Sequence, residues 1–200
     1  MRRYNRAVSG PPTSEHELIQ RARGGDQDAF AELVTIHADR VYGSLRRFGL
    51  DAIDADEVAQ EVFLRAWRGL GQFEERSQFS TWLYRIAFNE AQRRLARRTL
   101  PRLEPDPERD DPVAALPESQ LLGPEAQSLE REFGQVLDEA LEQLPAEWRV
   151  AVVLRDIEGL STRDAADVVG VGEAAFKSRL HRGRMALRAL LEPYLDLEEG

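Results

Sequence analysis

Between Thr99 and Ser128 the chain loses the composition that a packed fold needs. Six of its ten prolines lie there (Pro101, Pro105, Pro107, Pro112, Pro117 and Pro124), with seven acidic residues opposed only by Arg102 and Arg109. A stretch so polar and so rich in helix-breaking residues cannot bury enough apolar surface to offset the entropy of ordering it. The segment 99–128 is therefore expected to be a linker. It divides the chain into blocks 14–98 and 129–195, each expected to form a small all-α domain. Residues 1–13, with Gly10, Pro11 and Pro12, are expected to form a disordered tail.

The first block carries helical periodicity throughout. Ser14 and Glu17 form a capping-box pattern that opens a short helix ending at Gly24 and Gly25. Asp26 is placed to cap a longer helix, whose stripe of Phe30, Leu33, Val34, His37, Val41, Leu45 and Phe48 keeps 3.6-residue spacing up to Gly49. His37 lies on this stripe and reads as a packed residue at the core edge. A third helix is expected after Asp54, with Ala55, Val58, Ala59, Val62, Phe63, Ala66 and Leu70 on one side. A fourth starts near Ser77 or Ser80 and runs through Trp82, Leu83, Ile86 and Ala87 into an arginine cluster.

In the second block one helix carries Phe133, Val136, Leu137, Ala140, Leu141 and Leu144. Pro145 opens another, which includes Trp148, Val152 and Val153 and ends at Gly159. Ser161 and Asp164 then repeat the capping-box pattern ahead of Ala165, Ala166, Val168 and Val169. The small alanines allow a second helix to cross closely, Gly170 supplies a tight turn, and Val171 fills the angle between the helices. This is the pattern of a helix-turn-helix whose second helix begins near Glu173. On that helix Phe176, Leu180, Leu187 and Leu191 share one side and should pack inward. Ala174, Lys177, Ser178, His181 and Arg182 lie around the other, where their donors can reach base edges and phosphates. The run from Gly170 to Ala175 also fits the dinucleotide fingerprint G-x-G-x-x-A. That fold needs a second strand after the helix, and Glu192–Gly200 has no strand-like run.

Charge distribution agrees with nucleic-acid binding although the net charge is −9. Arg85, Arg93, Arg94, Arg97, Arg98 and Arg102 face one acid, Glu90. Lys177, Arg179, Arg182, Arg184 and Arg188 fall in a stretch with no acid at all. A phosphate backbone meets such local patches rather than the total. The chain has no cysteine and only three scattered histidines, which argues against disulfides and a zinc site, and no cofactor is expected. No apolar run reaches a membrane span, so the expected setting is cytoplasmic with no membrane insertion.

Taken in order, these motifs resemble the bacterial RNA polymerase sigma factors, specifically the extracytoplasmic-function group, over roughly Ser14 to Leu191. Asp54-Ala-Asp-Glu-Val-Ala-Gln-Glu61-Val-Phe-Leu-Arg-Ala-Trp67 looks like the family's core-binding helix. Ser80-Thr-Trp82-Leu-Tyr84-Arg-Ile-Ala-Phe-Asn89 looks like its promoter-melting segment. Leu144-Pro145 and Lys177-Ser178-Arg179-Leu180-His181-Arg182 match its carboxy-terminal helix-turn-helix. The resemblance implies a non-enzymatic factor that binds core RNA polymerase, directs it to promoter DNA and assists melting at the minus-ten element. Its domains would be 14–98 for polymerase and the minus-ten element, and 129–195 for the minus-thirty-five element.

The resemblance also assigns residues. Asp54, Asp56, Glu57, Gln60 and Glu61 would be an exposed face docking on polymerase. Trp82, Tyr84, Arg85, Asn89, Arg93 and Arg94 would handle the minus-ten DNA, with Trp82 the one most readily placed in the core instead. Ala174, Lys177, Ser178, His181 and Arg182 would meet the minus-thirty-five element. An anti-sigma factor is an implied partner, and the acidic linker is implied to thread near the RNA path of the polymerase. Two departures stand out: Arg93 replaces a common Asp, and Ala174-Ala175 replaces a common Gly-Thr. A helix-turn-helix regulator with a sensing domain is the rival reading. It offers no reason for the Asp54–Trp67 helix.

Overall fold

The computed structural model describes residues 14–99 and 124–195. The expected tail and most of the expected linker lie outside the described residues. Within them the chain is helical with no strand, as the periodicity requires. Helix α1 (Glu15–Arg23), α2 (Gln27–Arg47), α3 (Ala52–Gly69) and α4 (Phe79–Thr99) form the first unit. Helices α5 (Pro124–Glu142), α6 (Ala146–Val152), α7 (Thr162–Val169) and α8 (Glu173–Leu195) form the second.

Side-chain caps set most of the starts. Ser14 accepts from the Glu17 amide at 3.2 Å, and Asp26 accepts from the Asp28 and Ala29 amides at 3.1 Å each. Ser161 accepts from the Asp164 amide at 3.1 Å. Each such cap contributes roughly 1 kcal/mol. Helix α3 corrects the expectation: it begins before Asp54, because Asp51 is the cap and accepts from the Asp54 amide at 2.8 Å. Helix α5 starts at Pro124, so the end of the expected linker is helical. This start suits proline, since a first-turn amide has no intrahelical partner to lose.

The helix opened by Pro145 also differs from its expected form. It is α-helical only to Val152 and then widens into a single π turn, Val153–Ile157, where the Glu158 amide donates to the Val153 carbonyl at 2.9 Å. Gly159, at φ +74°, ends it.

Leu33, Val41, Leu45, Val62 and Leu83 fill the first unit, and Leu141, Val153, Leu154 and Phe176 the second. These are not separate cores. One apolar cluster runs through both units, with α4 packed on α7 and α2 touching α5. The two helical units expected on either side of the linker are present, and their apolar surfaces meet.

Candidate polymerase and DNA interfaces

The recognition face of the helix-turn-helix is built by four local choices. Ala165 and Ala166 are fully buried, which lets α8 lie close against α7. Gly170 takes φ +70°, ψ +35°, a left-handed geometry that costs glycine little, and the Val171 amide caps back onto the Ala166 carbonyl at 3.0 Å. Phe176 and Leu180 point into the core, and Gly183 is buried against α6. That arrangement leaves Ala174, Lys177, Ser178, His181 and Arg182 all exposed on the leading turns of α8.

The cations of α8 are not equivalent, a distinction that counting charges misses. Arg184 makes a two-point bond to Asp156, at 2.9 and 2.6 Å, and this hydrogen bonding holds its guanidinium above the usual arginine pKa. Arg179 reaches Glu147 at 3.2 Å. Both tie α8 to the rest of its unit. Lys177 has only a loose contact, 3.8 Å, with Glu173 one turn away, and Arg182 stands exposed.

On α4 the structure separates the six residues expected to handle DNA. Arg85, Asn89 and Arg93 are exposed at four-residue intervals and form one line along the helix. Arg93 also bonds Glu90 at 2.5 Å, and Arg65 of α3 bonds the same carboxylate at 3.0 Å. Trp82 is half-buried in an aromatic cluster with Phe73 and Phe79, at ring separations of 5.1 and 5.7 Å. Tyr84 does not share the exposed line. It is 2% exposed, and its hydroxyl donates to Glu158 of the second unit. Arg94 is turned toward α3, where it bonds Asp54 at 2.7 Å and also Glu57.

Asp54 corrects the expectation of an exposed docking residue. It is 1% exposed and forms ion pairs with Arg94 at 2.7 Å and with Arg98 at 2.9 Å. With Asp51 and Glu57 it staples the start of α3 to the end of α4. Removing one partner of such a network strands the others. Asp54→Ala should therefore lower stability by about 2–3 kcal/mol, below the range for fully buried pairs because both arginines can still reach water. Urea unfolding of Asp54→Ala beside Asp56→Ala, an exposed control, checks this.

Of the remaining residues on that face, Asp56, Glu57 and Gln60 are exposed and Glu61 is half-exposed. Asp56 and Gln60 border an open groove of about 890 Å³ between α2 and α3. Its floor and walls are apolar: Phe30, Val34 and Tyr42 from α2, and Phe63, Leu64 and Trp67 from α3. Phe30 and Trp67 pack ring to ring at 4.9 Å, and Leu64 is half exposed. Phe30, Val34 and Phe63 lie on stripes that the sequence alone assigns to the core. A wide apolar arc on α2, with Phe30, Val34, Ala38 and Tyr42 beside Leu33, His37 and Val41, is the signal that marks two buried or bindable sides instead of one.

With this geometry in place, comparison with known proteins identifies both units. Residues 33–100 match the family model "Sigma-70 region 2", and residues 134–187 match "Sigma-70, region 4". The chain is 37% identical to the RNA polymerase sigma-H factor of Pseudomonas aeruginosa, over 90% of this chain and 95% of that protein. It is 33% identical to the ECF RNA polymerase sigma factor SigW of Bacillus subtilis, over 86% of this chain and 94% of that protein. Among solved structures, CnrH in complex with the cytosolic domain of CnrY matches with a TM-score of 0.62 at 30% identity, covering 90% of this chain and 97% of that one.

Proposed function

The chain belongs to the sigma-70 family, in its extracytoplasmic-function group, and from that membership we infer how its surfaces divide the work of starting transcription. It is a sigma factor: with core RNA polymerase it directs initiation at specific promoters, and an anti-sigma factor is its expected partner. Residues 14–98 dock on polymerase and handle the minus-ten element, while residues 129–195 read the minus-thirty-five element. The work is binding and strand separation in the bacterial cytoplasm, with no covalent chemistry and no cofactor. Among the described residues no helix is long and apolar enough to cross a membrane.

The observation that carries this reading is the row Ala174, Lys177, Ser178, His181 and Arg182, exposed on the leading turns of a helix that a left-handed glycine turn sets at the surface. Such a helix enters the major groove with its N-terminal residues against the bases. On α4, Arg85, Asn89 and Arg93 form the exposed line for minus-ten DNA. Trp82 and Arg94 act there mainly by holding the helix in place. Polymerase docks on the α2–α3 groove, with Asp56 and Gln60 as a polar rim around an apolar centre, and Glu57 and Glu61 extend the acidic surface on the α4 side of α3. Asp54 serves that surface by fixing α3.

Two measurements test this. Permanganate footprinting should detect an open minus-ten region only when the chain and core polymerase are both present. Strong operator binding by the chain alone, with no opening on adding polymerase, would favour the rival regulator. Arg182→Ala should weaken binding to a minus-thirty-five duplex by about 1–3 kcal/mol if it meets a base, or flatten the salt dependence if it meets a phosphate. An unchanged affinity and salt slope in the folded variant would move the recognition surface elsewhere.

A further inference from the structure

Glu158 is the most heavily bonded carboxylate between the two units, and its partners come from the wrong side for a surface loop. It follows the π turn and is 8% exposed. Oε1 accepts from the Ser44 hydroxyl of α2 at 2.6 Å, and Oε2 accepts from the Tyr84 hydroxyl of α4. The Arg40 guanidinium of α2 lies 3.2 Å from Oε2 and also donates to the Glu158 backbone carbonyl at 3.2 Å. Burial, then the adjoining carboxylate, pushes the Tyr84 hydroxyl well above its usual pKa, which keeps it a donor. Around this point Arg47 bonds Asp138 at 2.8 Å, and the Arg149 guanidinium lies so near Gly49 that a Cβ there would meet it at 2.9 Å.

We propose that Glu158 is an interdomain latch: its bonds to Ser44, Tyr84 and Arg40 hold a closed state that must break before both promoter elements can be bound at once. The second half of this rests on the promoter-binding reading above. A compact body of about 160 residues has a radius of gyration of roughly 15 Å. Minus-ten and minus-thirty-five elements lie about 25 base pairs, roughly 85 Å, apart at 3.4 Å per pair. The closed form is too small to reach both. Residues 100–123 between α4 and α5 could span up to roughly 80 Å if extended, so chain length does not prevent opening. The latch also hides Tyr84, within the very helix whose exposed line faces the minus-ten DNA. Closing the chain thus removes part of that segment from reach while leaving the recognition face of α8 exposed. A carboxylate suits the role because bonds to a buried charge are strong when made, while a carboxylate that regains water carries no penalty once the units part.

The chain has no cysteine, so spin labels at Gln72→Cys and Asp167→Cys, both exposed, report the distance between units in the full-length protein. The unmodified latch should give one narrow distance. Glu158→Ala should add a broad, longer population, raising the open-to-closed ratio at least about tenfold, as expected for losing bonds to a charged group. Ser44→Ala combined with Tyr84→Phe breaks the latch from the first unit. It should act in the same direction, and it keeps the test decisive if Glu158→Ala unfolds the second unit, as circular dichroism would reveal. Core polymerase should convert the unmodified chain to the long distance. A broad distribution before any substitution, or an unchanged narrow one in the folded variants, overturns the latch. Variants that open while polymerase leaves the unmodified chain closed overturn the requirement for opening, and with it the promoter-binding reading, but not the contact itself.

Discussion

Leu64→Asp should abolish capture of core RNA polymerase while leaving the fold intact. Leu64 is half exposed on the wall of the α2–α3 groove, beside Phe63 and Trp67. A charge there loses no core packing, and surface changes of this kind cost within about 0.5 kcal/mol, a melting shift of roughly 2 °C or less. In a docked complex the same carboxylate would be buried against an apolar partner without a counter-ion. Central interface positions carry about 2–4 kcal/mol, so affinity should fall on the order of 100-fold or more. Gln60→Ala at the rim should cost much less. Equal losses at the two positions, measured by pull-down and titration, would mean that the polar rim dominates and the groove does not. Unimpaired binding by Leu64→Asp would place the docking surface elsewhere.

Gly183→Val should unfold the second unit. A Cβ at Gly183 would meet Val152 Cγ2 at 2.8 Å, the Trp148 carbonyl oxygen at 2.9 Å and Trp148 Cβ at 3.3 Å. A methyl group can shift, but the backbone oxygen of α6 cannot without moving that helix. Replacing a mid-helix glycine ordinarily gains up to about 1 kcal/mol in propensity. Overpacking costs about 1–3 kcal/mol for a few added atoms and more when backbone has to give. The clash should therefore win: Gly183→Ala should be mildly destabilising and Gly183→Val should lose several kcal/mol. Trp148, at the contact itself, offers a fluorescence probe for the transition. A Gly183→Ala variant that melts higher than its parent would show that α8 can back away from α6.

These two positions mark the boundary of what could be read from the chain. Glycine inside the α8 pattern was visible, but its meaning depends on Trp148 and Val152, more than thirty positions earlier. Caps at Ser14, Asp26 and Ser161 were legible because a cap is decided within three residues. So was the helix-turn-helix, whose turn, crossing and recognition face are all local. Asp54 was misplaced for the opposite reason. An acid on a helix looks solvent-facing until the arginines of another helix, forty residues on, are folded over it. Tyr84 and Ser44 find their acceptor 74 and 114 positions away, across the expected linker. Periodicity reports an apolar side without saying whether this chain covers it, so in the sequence the groove is indistinguishable from core.

That uncovered side sets how the protein's two associations respond to conditions. Closing water out of the α2–α3 groove removes apolar surface, so docking on polymerase should show a negative heat-capacity change and strengthen on modest warming from the cold. Its central contacts involve no ions to screen. If the α8 row meets DNA as proposed, it displaces counterions from phosphates, and its affinity should fall steeply as ionic strength rises. Added salt should therefore strip promoter DNA from the assembled complex well before it separates this chain from the polymerase.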